Sequence, residues 1–155
     1  EIHISFGMTT KEEERKIIDF FREKKRAKDL VIYACTSGYP VPMQDICLLE
    51  ITRLRNEYEG IVKGIGFYGH HNGISPDIGA LTLGAHYFER HFTLDRTWKG
   101  TDHAASLEPE GMRKLARNLR NVSRALSYKS EDVLDIEKIQ RAKLKHIRRG
   151  GGTKV

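Results

Sequence analysis

Residues 60–92, GIVKGIGFYGHHNGISPDIGALTLGAHYFERHF, decide the architecture because they read as strand, helix and strand in immediate succession. GIVKGIGF is strand-like. Ser75 is placed to cap a helix, Pro76 sits at the first helical position, where proline is tolerated, and Gly84 ends the helix before HYFERHF begins a second strand. A chain that returns through a helix starts its next strand parallel to the last.

The alternation extends outward on both sides. Upstream, EIHISFGM is a strand candidate ending at Gly7, and TTKEEERKIIDFFREKKRAKD follows it as a helix. Thr10 and Glu13 have capping-box spacing there, and Ile17, Phe20 and Phe21 supply the apolar face. LVIYACTS then precedes DICLLEITRLRNEY, in which Asp45 is placed as the cap and Leu48, Ile51, Leu54 and Tyr58 recur at helical spacing. Downstream, PEGMRKLARNLRNVSRALS carries a stripe of Met112, Leu115, Leu119, Val122 and Leu126, and a last amphipathic helix starts near Ser130. Four strand–helix units predict an α/β fold with a parallel sheet. An open doubly wound sheet and four eighths of a (β/α)₈ barrel both fit, and in either the functional end is where strands finish.

Composition sets outer bounds. The 155 residues, 39% hydrophobic, suffice for one domain with a real core. That domain is expected over 1–149, with a flexible tail at 150–155 following from the glycines at 150–152. No apolar run approaches membrane-span length and no basic, apolar leader precedes IHISFGM, so a cytoplasmic protein is expected. Cys35 and Cys47 lack CxxC spacing and read as reduced core thiols. The net charge of +6 favours anionic partners, yet no aromatic stacking array supports nucleic acid, and no GxGxxG follows the first strand to bind a dinucleotide.

The polar residues gather at predicted strand ends. Alternation puts Tyr87, Glu89 and His91 on one face of the fourth strand and Phe88, Arg90 and Phe92 on the other. A carboxylate beside an imidazole on a buried strand needs a partner, whether an ion pair or a metal. GFYGHHNGIS ends the third strand with His70 and His71, whose distance from His91 matches no local metal signature such as HExxH, so a metal pair and a plain histidine pair both remain open. Thr36, Ser37 and Gly38 could hold a phosphate and Tyr39 a sugar, or they simply form a turn, and Ser5 in ISFGMTT permits the same two readings. The stretch from Thr93 to Glu108 is long for a connection and carries Asp95, Trp98, Lys99, Asp102 and His103, as binding loops do.

Taken together, GFYGHHNGI, ERHFTLDRTWKGTDHAASLEPEG and CTSGYPVP resemble the sialic acid synthase family, enzymes that condense phosphoenolpyruvate with N-acetylmannosamine or a relative. The likeness runs from about Ile4 to the final helices. It implies a parallel (βα)₄ half of a TIM-type barrel, strands five to eight, plus a C-terminal helix, without the barrel's first half or the family's small antifreeze-like domain. It further implies His70 and His91 as ligands of a divalent metal, Mn²⁺ or Mg²⁺, and Glu89 as the catalytic carboxylate. Asp102 is implied at the amino-sugar hydroxyls and Tyr39 at the sugar, with Ser37 and Ser5 at the phosphoenolpyruvate phosphate. Gly69, Gly73 and TWKG follow the pattern of the animal 9-phosphate synthases, which implies a phosphorylated acceptor, whereas Tyr68 and Phe6 replace a usual serine and threonine.

Half a barrel leaves two unpaired sheet edges and an uncovered inner face, so the expected partner is a second copy or a complementing half-barrel, and the isolated chain is expected to be inactive. The competing expectation is a non-catalytic half-barrel that binds phosphorylated ligands or polyanions through its basic charge.

Overall fold

In a computed structural model describing residues 1–145, four parallel strands lie in the order β1 (Ile2–Ser5), β2 (Leu30–Cys35), β3 (Gly64–Gly69), β4 (Tyr87–Arg90). Strand order therefore follows chain order with no reversal. A doubly wound sheet requires a reversal at its switch point, so that alternative is excluded. The crossovers run through α1 (Lys11–Glu23), α2 (Leu49–Tyr58) and α3 (Ser75–Thr82), and α4 (Pro109–Ala125) follows β4. Ile18 of α1, Ile51 and Leu54 of α2 and Ala80 of α3 share one buried cluster with Leu30, Ile32, Ala34, Ile65 and Phe67 of the strands. All three crossover helices thus cover the same face, and the sheet is half of a TIM-type barrel.

The register sorts side chains onto the two faces. Ile32 pairs with Ile65 and Phe67 with Phe88 on the helix-covered side. On the concave side, one row runs Ser5, Tyr33, Gly66, Tyr87 and the next runs Cys35, Tyr68, Glu89. The glycines make room for aromatic rings: a β-carbon at 66 would lie 2.6 Å from the Tyr33 ring, and one at 64 would strike Tyr87. Tyr33 is held across the sheet by a 2.8 Å hydrogen bond between its hydroxyl and His3 Nδ1.

Local chemistry explains most element ends. At α1 the Thr10 and Glu13 side chains each accept the other's backbone N–H, the capping box expected from their spacing. At α3, Gly84 takes φ +101° and the chain closes with Gly84 N–H on Leu81 O and Ala85 N–H on Ala80 O, satisfying the last carbonyls. Other expectations need correction. Asp45 does not cap α2, because Met43–Asp45 forms its own 3₁₀ turn and Leu48 precedes the helix without a side-chain cap. Ser75 is already helical and makes no capping bond. Phe20 is exposed while Ile18 takes the buried position on α1, and Cys47 is an exposed thiol at φ +54° rather than a core residue.

The chain divides into two units, Glu1–Ala125 and a second from Leu126. In the second, the helix α5 spans Asp135–Leu144, five residues later than expected from Ser130, and Glu137 accepts the Leu134 N–H at its start at 2.9 Å. The predicted tail at 150–155 lies outside the described residues. No described helix is long and apolar enough to cross a membrane.

Candidate active site

The C-terminal ends of the strands bring together residues far apart in sequence. His70 follows β3 directly and is 2% exposed. Its Nδ1 lies 2.9 Å from the Thr36 carbonyl, which can only accept, so Nδ1 carries the proton and Nε2 the lone pair. That Nε2 is buried and has no partner among the described residues. Burial, ahead of every other influence, pushes the His70 pKa below the ordinary histidine value and keeps the ring neutral.

His91 lies just past β4, with its ring centroid 5.0 Å from that of His70. Its Nε2 shares a 2.6 Å hydrogen bond with the Tyr68 hydroxyl, and its Nδ1 faces Asp102 Oδ2 at 3.6 Å. Tyr68 packs against both rings, 4.3 Å from His70 and stacked on His91 at 5.6 Å. Burial, reinforced by the negative field of Glu89, pushes the Tyr68 phenol up to about 12, so it remains a donor at neutral pH. Tyr39 completes the aromatic wall with its ring edge-on to both histidines, at 4.6 and 5.7 Å.

Cys35 Sγ lies 3.8 Å from His70 Nδ1. Burial pushes the pKa of its thiol above the ordinary value, while the nearby Ser5 and Ser37 hydroxyls act to lower it. Gly7 allows this approach, since a β-carbon there would sit 2.5 Å from Ser37 Oγ. Glu89 stands apart: it is exposed on the concave face, opposite Tyr68 in the ladder, and makes no hydrogen bond or ion pair to another described residue. The expected cost of its burial does not arise, because the face is open.

The long connection after β4 is stapled in place. Buried Thr93 shares a 2.8 Å hydrogen bond with His103 Nδ1, Arg96 reaches Asn72 at 2.7 Å, and Leu107 N–H donates to His91 O at 2.8 Å. Asp102 is carried to the site by this folded segment, while Trp98 stays half exposed against His103.

Residues 1–131 match the NeuB family. The chain belongs to that family. Human N-acetylneuraminate-9-phosphate synthase is 44% identical over 103 residues, which make up 66% of this chain and 28% of the human protein. N,N'-diacetyllegionaminic acid synthase of Legionella pneumophila is 34% identical over 126 residues, 79% of this chain and 35% of that protein. Among solved structures, the N-acetylneuraminic acid synthetase of Leptospira borgpetersenii serovar Hardjo-bovis, in complex with citrate, superposes with a TM-score of 0.76 at 28% identity, covering 96% of this chain and 50% of that one. This NeuB chain thus spans about a third of the curated relatives' length and half of the solved structure.

Sequence reasoning missed two parts of this surrounding. His71 does not pair with His70 at the site: it is fully buried with Asp77 and Arg90. The signal was a lone arginine in the row of Phe88, which on a helix-covered face demands a buried acidic partner. Cys35 is a free thiol as expected, but it is only half-buried and borders His70.

Proposed function

We propose that this chain supplies half of a sialic acid synthase-type active site, condensing phosphoenolpyruvate with N-acetylmannosamine or its 6-phosphate and releasing phosphate by C–O cleavage. The observation that carries this reading is the buried Nε2 of His70, unpartnered among the described residues, on a ring that packs beside His91 and Tyr39, with Asp102 against His91.

A neutral imidazole with a free buried lone pair fits a divalent cation. Among the described residues no group of three or more His, Cys, Asp or Glu is arranged to hold one, and Mn²⁺ or Mg²⁺ there would take its remaining ligands from substrate and water oxygens. His70 and His91 would hold the cation, which would supply Lewis-acid polarisation of the acceptor aldehyde. His91 is the less ready ligand, since Tyr68 occupies its Nε2.

In the reaction, C3 of phosphoenolpyruvate forms the new bond to the aldehyde carbon, whose oxygen gains a proton. Water adds to C2 and loses a proton, and the C2–O bond to phosphate then breaks as the new C2 hydroxyl passes its proton to the departing phosphate, leaving the ketone and hydrogen phosphate. Glu89, free and on the open face, takes the proton from that water or steadies the positive charge at C2. Asp102, with its Oδ1 held by the Thr101 hydroxyl at 2.7 Å, orients the acceptor hydroxyls, and Tyr39 packs against the sugar. Ser5 and Ser37 take the phosphate, with Tyr68 in place of the usual serine. The reading includes a second barrel half, from another copy or a complementing polypeptide, against the free edges of β1 and β4, and a cytoplasmic setting.

The test is phosphate release from bridge-¹⁸O phosphoenolpyruvate with Mn²⁺ and each acceptor, using this chain alone and fused behind the upstream barrel half of the human relative. The fusion is expected to release ¹⁸O-phosphate only with an acceptor and to lose this on His70→Ala, while the chain alone stays silent. A folded fusion that releases nothing, or does so without acceptor, sinks the proposal.

A further inference from the structure

The β3–β4 ladder ends at the pair Gly69 and Arg90, one residue short of both His70 and His91. Beyond that pair no β3–β4 hydrogen bond joins the two strands. Each histidine is anchored on its own side, His70 O by the Val41 N–H at 3.0 Å and His91 O by the Leu107 N–H at 2.8 Å, and one side chain ties the two strand ends to each other.

We infer that Arg90, with Asp77 and His71, is a clamp that sets the separation of the His70 and His91 rings. Arg90 NH1 donates to Asp77 Oδ2 at 2.6 Å and to the Gly73 carbonyl at 3.0 Å, and NH2 donates to the His71 carbonyl at 2.7 Å. One guanidinium therefore ties the last residue of β4 to the residue after His70, to the following loop and to the first turn of α3. His71 Nε2 lies 3.1 Å from both Asp77 Oδ2 and Arg90 NH1, filling the remaining corner. The planar fork suits this task, since a lysine could not address several acceptors from one rigid plane.

The arrangement is poorly explained by stability. Side chains of Arg90, Asp77 and His71 are 1%, 0% and 0% exposed, yet Arg90 Nε, Asp77 Oδ1 and His71 Nδ1 are left without partners among the described residues. A buried ion pair with orphaned atoms is weak support for a fold, and apolar residues would do as well or better. Its position does explain it, because displacing a ligand by about 1 Å costs a site far more than its contacts suggest. Arg90 touches no reacting group and is a positioning residue. A second pair, half-buried Arg53 with buried Glu14 at 2.9 Å, joins α2 to α1 without bonding either histidine or the residues flanking them and provides the control.

The inference rests on the proposed cation site for one readout only. In the full chain labelled at histidine ¹³Cε1 and free of metal, an NOE between the His70 and His91 rings reports their approach; Mn²⁺ affinity is then measured separately by EPR. Arg90→Met is expected to abolish the NOE and weaken Mn²⁺ binding by about tenfold or more. Arg90→Lys and Asp77→Asn, which keep the core filled, should weaken both by less, and they decide the matter if Arg90→Met fails to fold. Arg53→Met should lower the urea midpoint yet leave the NOE and the affinity unchanged. Should the Arg90 and Asp77 variants behave like Arg53→Met, the clamp is refuted. If the unaltered chain binds no Mn²⁺ while the Arg90 variants still lose the NOE, the clamp stands and the cation reading falls.

Discussion

The two faces of the sheet are built to different rules. Toward the helices the strands present Ile32, Ile65, Phe67 and Phe88, all packed in one cluster; toward the concave side they present His3, Ser5, Tyr33, Cys35, Tyr68 and Glu89. The first face closes within this chain. The second carries the candidate chemistry and is left open, so a substitution should cost stability on one side and site geometry on the other. Phe67→Ala is the sharpest way to break this division: its ring is 2% exposed at the centre of the covered face, and its loss is expected to cost about 3–5 kcal/mol. Urea unfolding measures this, and a cost near zero would mean the helices do not close that face.

A smaller effect is expected where the concave face is itself packed. Gly66→Ala puts a methyl 2.6 Å from the Tyr33 ring and 2.9 Å from the Tyr87 carbonyl, an overpacking expected to cost about 1–3 kcal/mol. Because the ring can yield and the backbone cannot, adding Tyr33→Leu should recover part of that loss and not all. Full additivity of the two changes in urea unfolding would show that they do not meet.

How much of this could be read beforehand depends on how local each feature is. The capping box of Thr10 and Glu13, the stop at Gly84 and the alternation of strands with helices are set within a few residues, and the structure has them where expected. Strand order is not local: the same pattern serves doubly wound sheets and barrels, and the residue resemblance, rather than periodicity, pointed to the barrel. Asp45 shows the converse failure, since a residue suited to capping joined a 3₁₀ turn instead. For the site, the motifs pointed to His70, His91, Tyr39 and Asp102, which the fold brings into one cluster. They could not reveal that Tyr68 bonds His91, or that His71 turns away to Asp77 and Arg90, because both depend on pairings across the ladder.

The boundary between the faces should also be visible in acid. His70 is held neutral by burial, so its folded pKa lies below that of the unfolded chain. Below the ordinary value of about 6.5 the unfolded state takes up a proton that the folded state refuses, and stability falls as pH drops through that range. The loss is complete only below the native pKa. Urea midpoints between pH 8 and pH 5 should decline less steeply in His70→Gln, which cannot titrate; equal slopes would place the acid sensitivity elsewhere.

The least effect on stability is expected at the residue with the largest proposed role. Glu89 is exposed, unpaired among the described residues and set on the open face, so Glu89→Gln should shift the unfolding free energy by no more than about 0.5 kcal/mol. The same change should remove most of the phosphate release from the completed barrel, because an amide neither accepts the proton nor balances the charge at C2. It should also lower the Tyr68 pKa from about 12, since the carboxylate field is one of the influences that raise it, and absorbance at 295 nm follows that titration directly. A clear loss of stability with Tyr68 unmoved would place Glu89 in the structural half of the molecule, and the contrast between the faces would end one residue short of the site.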